Sequence, residues 1–175
     1  GPLHVAHGRG AAIGDAVASL LEQVGDQVTR EFYVNDAGRQ ILLLGESVVA
    51  RFEELQGRSF SIPEGGYHGG YVADVARSIG GAMGVEVADA LDREDRRKEI
   101  QGLAVEMLLE EQRCDLEAFG VHMDRFFPES SLDESGAIDN LLTLLKAREL
   151  IYEEEGATWL RTSNFGDEKD RVLIK

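Results

Sequence analysis

The chain has 175 residues, about one domain's worth, with 43% apolar residues and a formal charge of −15 at neutral pH. That apolar share excludes a disordered chain, and a single cysteine, Cys114, excludes an internal disulfide. No apolar run approaches the roughly 18 residues of a membrane span, and the acidic balance excludes wholesale coating of nucleic acid. The opening residues lack a signal-peptide pattern, so a reducing, cytoplasmic setting is expected.

Ile13, Ala16, Val17, Leu20, Leu21 and Val24 recur at helical spacing and predict a first helix stopped at Gly25. Residues 28–34 carry Val, Thr, Phe and Tyr in loose alternation and predict a strand. Asn35-Asp36-Ala37-Gly38 reads as a turn, with Asp36 slightly favoured as the cap of the next helix over a pocket residue. That helix sets Ile41, Leu44, Val48, Phe52 and Leu55 on one face. The order helix, strand, helix implies a parallel sheet with crossover helices, an α/β fold.

A glycine-rich loop follows over 57–70, then a helix from Tyr71 to about Met83. The mixed charge run at 89–98 predicts a solvated helix face. A long helix is expected over 103–119, with Cys114 buried as a small hydrophobe. A strand over 121–127 ends at Pro128, and a helix covers 131–146. Short strands are predicted at 150–152, 158–161 and 172–175. An α/β domain of this kind expects a strand before its first glycine-rich turn, so the chain is expected to be a piece of a larger domain.

The sharpest chemical feature is Pro2-Leu3-His4-Val5-Ala6-His7-Gly8-Arg9-Gly10, opening into a helix. Two histidines three apart, with glycines beside a helix N-terminus, suit an anion: free N–H groups and the helix dipole both favour phosphate. Imidazoles placed there can donate to a pentacoordinate phosphate as its charge develops. A surface turn that happens to hold two histidines is the plain alternative. No third ligand stands at a recognisable metal spacing, so no metal site is predicted. Asp36 and Gln40 are candidate pocket residues. Tyr67 and Tyr71 are divided between substrate contact and core packing. His68 and His122 read as surface residues, Trp159 as packing, and Glu153-Glu154-Glu155 as a solvated turn.

Residues 1–15, from Gly1 to Asp15, resemble the first signature of the arginyl-tRNA synthetases, that family's version of the class I HIGH motif. Tyr33-Val34-Asn35-Asp36-Ala37-Gly38-Arg39-Gln40-Ile41, Gly66-Tyr67-His68-Gly69-Gly70-Tyr71, Phe119-Gly120-Val121-His122-Met123-Asp124 with Glu129-Ser130-Ser131-Leu132, and Phe165-Gly166-Asp167-Glu168-Lys169-Asp170-Arg171-Val172-Leu173 resemble further family segments in order. The resemblance implies a partial Rossmann-like nucleotide-binding fold with a helix-rich connective insertion. Residues 1–71 would be the first half of the catalytic domain, 72–170 the insertion, and 171–175 the return to the catalytic fold.

The resemblance also implies the reaction. Arginine and ATP, with Mg²⁺, form arginyl-adenylate, and the arginyl group passes to the arginine tRNA. No tightly bound cofactor, no membrane and a monomeric parent are implied. His4 and His7 would be catalytic; His4, Ala6, His7, Gly8 and Gly10 would meet ATP; and His7, Asp36 and Gln40 would meet arginine. The motif's third position, usually Gly, is Ala6, whose methyl narrows the room for adenine. Arg39 and Gly70 are further departures. The family's Asn-Pro-Thr segment, guanidinium-gripping residues and KMSK-type loop fall outside these 175 residues, so the isolated chain is expected to be inactive. Two other readings stand beside this one: a non-catalytic synthetase-like binding module, and a small-molecule nucleotidyltransferase with an HxGH motif.

Overall fold

The computed structural model describes residues 1–83 and 94–175. The elements are α1 (Val5–Gln23), β1 (Glu31–Val34), α2 (Gly38–Leu55), α3 (Gly70–Met83), α4 (Glu94–Phe119), β2 (Arg125–Pro128), α5 (Ser130–Glu134), α6 (Ala137–Ala147), β3 (Ile151–Glu154), β4 (Ala157–Leu160), a 3₁₀ turn (Thr162–Phe165) and β5 (Arg171–Ile174). They form two compact units, Gly1–Glu129 and Ser130–Lys175. Packing thus divides the chain at 129, whereas the boundaries at 71 and 170 follow family segments.

The first unit is built on α2. Its predicted face is covered: Ile41, Leu44, Val48 and Phe52 are buried, while Leu55, at the helix end, is exposed. Val72, Ala76 and Ile79 of α3 and Ile100, Ala104 and Leu108 of α4 complete the core. On α4 the buried positions 100, 104, 108 and 116 fall at multiples of four. Cys114 lies two residues off that stripe, on the opposite side of the helix. It is exposed rather than buried, its Sγ 3.8 Å from Glu110 Oε1. The charge run at 89–98 falls partly outside the described residues; at its described end, Arg96 pairs with Glu99 and Lys98 with Glu94 along α4.

β1 and β2 pair in parallel, Glu31 opposite Arg125 through Val34 opposite Pro128, with α2, α3 and α4 in the connection. This is the parallel arrangement that the element order implied. Phe32 meets Phe126 and Tyr33 meets Phe127 across the pair, with ring centroids 5.3 and 6.2 Å apart. Arg113 stacks 3.9 Å from the Phe126 ring centroid. Both strands are shorter than expected, because residues 28–30 and 121–124 lie outside the paired ladder.

The second unit holds α5, α6 and an antiparallel sheet in the order β3-β4-β5. The single helix predicted over 131–146 is two helices. Gly136, at φ 67°, precedes α6 in the left-handed conformation, which glycine adopts without a Cβ penalty, and this breaks the run. Tyr152 and Trp159 face each other across β3 and β4, with ring centroids 6.5 Å apart, and Arg161 lies 4.4 Å over Tyr152. Glu155 sits at the tip of that hairpin at φ 49°.

Candidate active site

α1 begins earlier than its apolar spacing suggested. Helix starts at Val5, so Ala6, His7, Gly8 and Gly10 are helical and not part of a preceding turn. Between Val5 and Ile13 the sequence holds no large apolar residue, which is why periodicity alone found the helix only from Ile13. His4 is the N-cap. Its Nδ1 accepts from the Ala6 N–H at 3.2 Å, and His7 Nδ1 accepts from the His4 N–H at 3.2 Å. The two rings stack, with centroids 3.8 Å apart and planes at 29°.

This reciprocal cap fixes the tautomers. Each Nδ1 receives a backbone proton, so in the neutral ring the proton sits on Nε2. Two Nε2–H donors therefore stand at the positive end of the α1 dipole, both on exposed residues. Desolvation, then the His4 ring, then the Gly1 ammonium hold the His7 pKa below the ordinary imidazole value.

An open cleft of about 570 Å³ lies beside the pair. Its lining brings together His4, His7 and Gln40, three of the residues singled out in the sequence. Ala6 and Gly10 face a different groove, between α1 and β1, and Gly8 faces a shallow depression toward α4. Asp36 is not among the cleft-lining residues, nor is it the cap of α2. The N-cap is Ala37, with no side-chain capping bond. Among the described residues, no three His, Cys, Asp or Glu side chains gather as a metal site.

Tyr67 and Tyr71 pack against the core, one of the two roles weighed for them, and also line the cleft. The Tyr67 hydroxyl donates to Gln40 Oε1 at 2.7 Å, and the Tyr67 N–H donates to Ser47 Oγ at 2.9 Å. Ser47, fully buried, donates in turn to the Leu43 carbonyl at 2.6 Å. One turn further along α2, Arg51 Nη2 donates to the His68 carbonyl at 3.2 Å. The 57–70 loop is thereby fastened along α2. His68 itself is exposed, and so is His122, which pairs with Glu117 at 2.5 Å.

Sequence reasoning missed several cleft residues. Tyr33 and Asn35, at the carboxyl end of β1, line the cleft, and the carboxyl ends of parallel strands are where α/β sheets bind ligands. That rule was the available signal. Burial, then the Glu129 carboxylate, raises the Tyr33 phenol above its ordinary value. Gln112 of α4 donates from Nε2 to the Gly1 carbonyl at 2.6 Å, and no pattern in the sequence announces it.

Residues 1–64 match the family model described as tRNA synthetases class I (R), catalytic domain. The chain is 46% identical to an arginine–tRNA ligase of Desulfosudis oleivorans over 178 residues, covering all of this chain and 31% of that protein. It is 45% identical to one from Staphylococcus epidermidis, covering 32% of it. The crystal structure of an arginyl-tRNA synthetase from Campylobacter jejuni superposes with a TM-score of 0.86 at 36% identity, over all of this chain and 38% of that one. The Plasmodium falciparum arginyl-tRNA synthetase shares the fold, with a TM-score of 0.65 at 18% identity over 99% of this chain and 29% of that one. The chain spans about a third of the length of the curated relatives it matches. In its motifs, sequence and fold together, the chain is similar to the class I arginyl-tRNA synthetases over about a third of their length.

Proposed function

We propose that a protein carrying this chain joins L-arginine to its tRNA through arginyl-adenylate made from MgATP, and that this chain supplies the histidine wall of the adenylation site. In the first step a carboxylate oxygen of arginine attacks the α-phosphorus of ATP. The bond to the bridging oxygen breaks and pyrophosphate leaves. Negative charge builds on the non-bridging oxygens as the phosphorus becomes five-coordinate. Donors already aimed at those oxygens lower the barrier without reorganising at the moment of reaction. In the second step the arginyl group passes to a terminal ribose hydroxyl of the tRNA and AMP leaves.

The observation that carries this reading is the stacked pair at the head of α1. Both Nδ1 atoms are committed to backbone N–H groups, so both Nε2–H groups are donors directed away from the cap. Tyr67, held at both ends by Gln40 and Ser47, gives the cleft a fixed opposite wall. Gln40 Oε1 already accepts from Tyr67, which leaves its amide nitrogen as the group offered to a substrate. Ala6 faces the α1–β1 groove, and its methyl is expected to affect the room for adenine rather than the histidine geometry.

The test is arginine-dependent exchange of pyrophosphate into ATP by the full-length protein carrying this chain. His7→Ala is expected to lower kcat by on the order of 100-fold or more, with only the small loss of stability that follows from removing the acceptor of the exposed His4 N–H. Unchanged exchange would overturn the assignment of His7. No arginine dependence in the wild-type protein would overturn the function.

A further inference from the structure

The apolar stripe of α1 does not hold this helix in place. Ala18 is its one buried residue, and Ile13, Val17 and Leu20 are all exposed among the described residues. An open groove of about 520 Å³ runs between α1 and β1. Arg30, just before β1, lines the same groove as His7 and reaches across to α1. Its Nε donates to Asp15 Oδ1 at 2.7 Å, its Nη1 to Glu22 Oε1 at 2.6 Å, and its Nη2 to Ser19 Oγ at 3.2 Å. Asp15, Ser19 and Glu22 sit at i, i+4 and i+7, one face of the helix. The Arg30 backbone is tied equally well at the other end. Its N–H donates to Asp124 Oδ2 at 2.7 Å, and its carbonyl accepts from the N–H groups of Asp124 and Arg125 at 2.9 and 3.1 Å.

We infer that Arg30 is a positioning residue for His7: it sets the tilt and rotation of α1 against the β1–β2 pair, and so the aim of the His7 Nε2–H donor. The inference rests on the adenylation reading above. From Asp15 to His7 is eight residues, about 12 Å of helix at a rise of about 1.5 Å per residue. A tilt of about 5° about the Arg30 contacts therefore moves His7 by about 1 Å. A misplacement of about 1 Å far from the chemistry is enough to cost on the order of 100-fold in rate. The Glu22 carboxylate, then that of Asp15, holds the guanidinium charged well above the ordinary arginine range.

The experiment is a double-mutant cycle read by pyrophosphate exchange in the full-length protein. Arg30→Gln is expected to lower kcat by on the order of 10- to 100-fold. In a His7→Ala background the same change is expected to cost less than about threefold, because the group it positions is gone. Equal losses in the two backgrounds would overturn the inference, since Arg30 would then act without His7. If Arg30→Gln melts early, Asp15→Asn decides the matter. It removes one anchor, leaves the arginine charged, and must show the same dependence on His7. Unchanged exchange in His7→Ala alone would overturn both this inference and the reading beneath it, which tells the two failures apart.

Discussion

Replacing Ser47 by alanine tests how the cleft's Tyr67 wall is held. Ser47 is the single buried polar residue of the described core. Its hydroxyl accepts from the Tyr67 N–H at 2.9 Å and donates to the Leu43 carbonyl at 2.6 Å. The carbonyl lies inside α2, so the group left without a partner by Ser47→Ala is the Tyr67 N–H. An orphaned buried donor costs about 1–3 kcal/mol. Tyr67 is half-buried, which places the cost in the lower part of that range, about 1–1.5 kcal/mol. For a unit of this size such a loss lowers Tm by roughly 3–8 °C. The loop has no slack to recover the bond: a Cβ on Gly66 would lie 2.8 Å from Ser47 Oγ, the Pro63 carbonyl and Ile62 Cγ2 alike. Thermal unfolding gives the stability, and hydrogen exchange of the Tyr67 amide gives the mechanism. Tyr67→Phe, which removes only the hydroxyl bond to Gln40, is the control and should leave that amide protected. A Tm within about 1 °C of wild type, or unchanged exchange at the Tyr67 amide, would refute the argument.

Two further outcomes follow from the side chains. Acid should loosen the head of α1. A protonated imidazole presents an Nδ1–H to a backbone N–H, so the reciprocal cap is lost, and the helix dipole disfavours the new charge. The folded His7 pKa is lowered, so its contribution to stability is complete above the unfolded value of about 6.5 and is lost as pH falls from there toward the folded pKa. An NMR titration should place the His7 imidazole below about 6.5, and a midpoint above that value would contradict the cap. Cys114, exposed on α4, should react with one equivalent of a thiol reagent in the native protein. Reaction only after unfolding would restore the buried position that the sequence suggested.

The fold was legible wherever one face of an element is covered. On α2 the spacing of Ile41, Leu44, Val48 and Phe52 was enough, because those side chains meet α3 and α4 directly. On α1 the same kind of spacing was present without a cover among the described residues, so it located the helix and said nothing of its packing. Hydrophobic character alone does not place Cys114, because position on α4 decides its exposure. Its neighbours Leu108 and Leu116 define the buried stripe, and 114 falls between its rungs. For the site, His4, His7 and Gln40 could be named because motif residues are local in sequence. Tyr33, Asn35 and Gln112 reach the cleft through the β1–β2 pairing and the approach of α4, contacts across long stretches of chain that no short pattern encodes.

The two sides of the cleft are held by different physics, and that difference bears on what each side does. The α2 side rests on a close-packed core in which Val48, Val72, Ala76 and Ile100 have no exposure, and such interiors yield little to side-chain motion. Tyr67, tied to that side through Ser47, is a fixed surface against which a substrate can be placed. The α1 side rests on charges and hydrogen bonds around Arg30, with Asp15 and Glu22 keeping 31% and 44% of their side-chain exposure. Directional bonds of this kind fix rotation as well as distance, which apolar packing against a groove would not. In the proposed adenylation role the histidine pair needs both, because that role depends on the direction of two N–H bonds, which a helix end set only by hydrophobic contact would leave free.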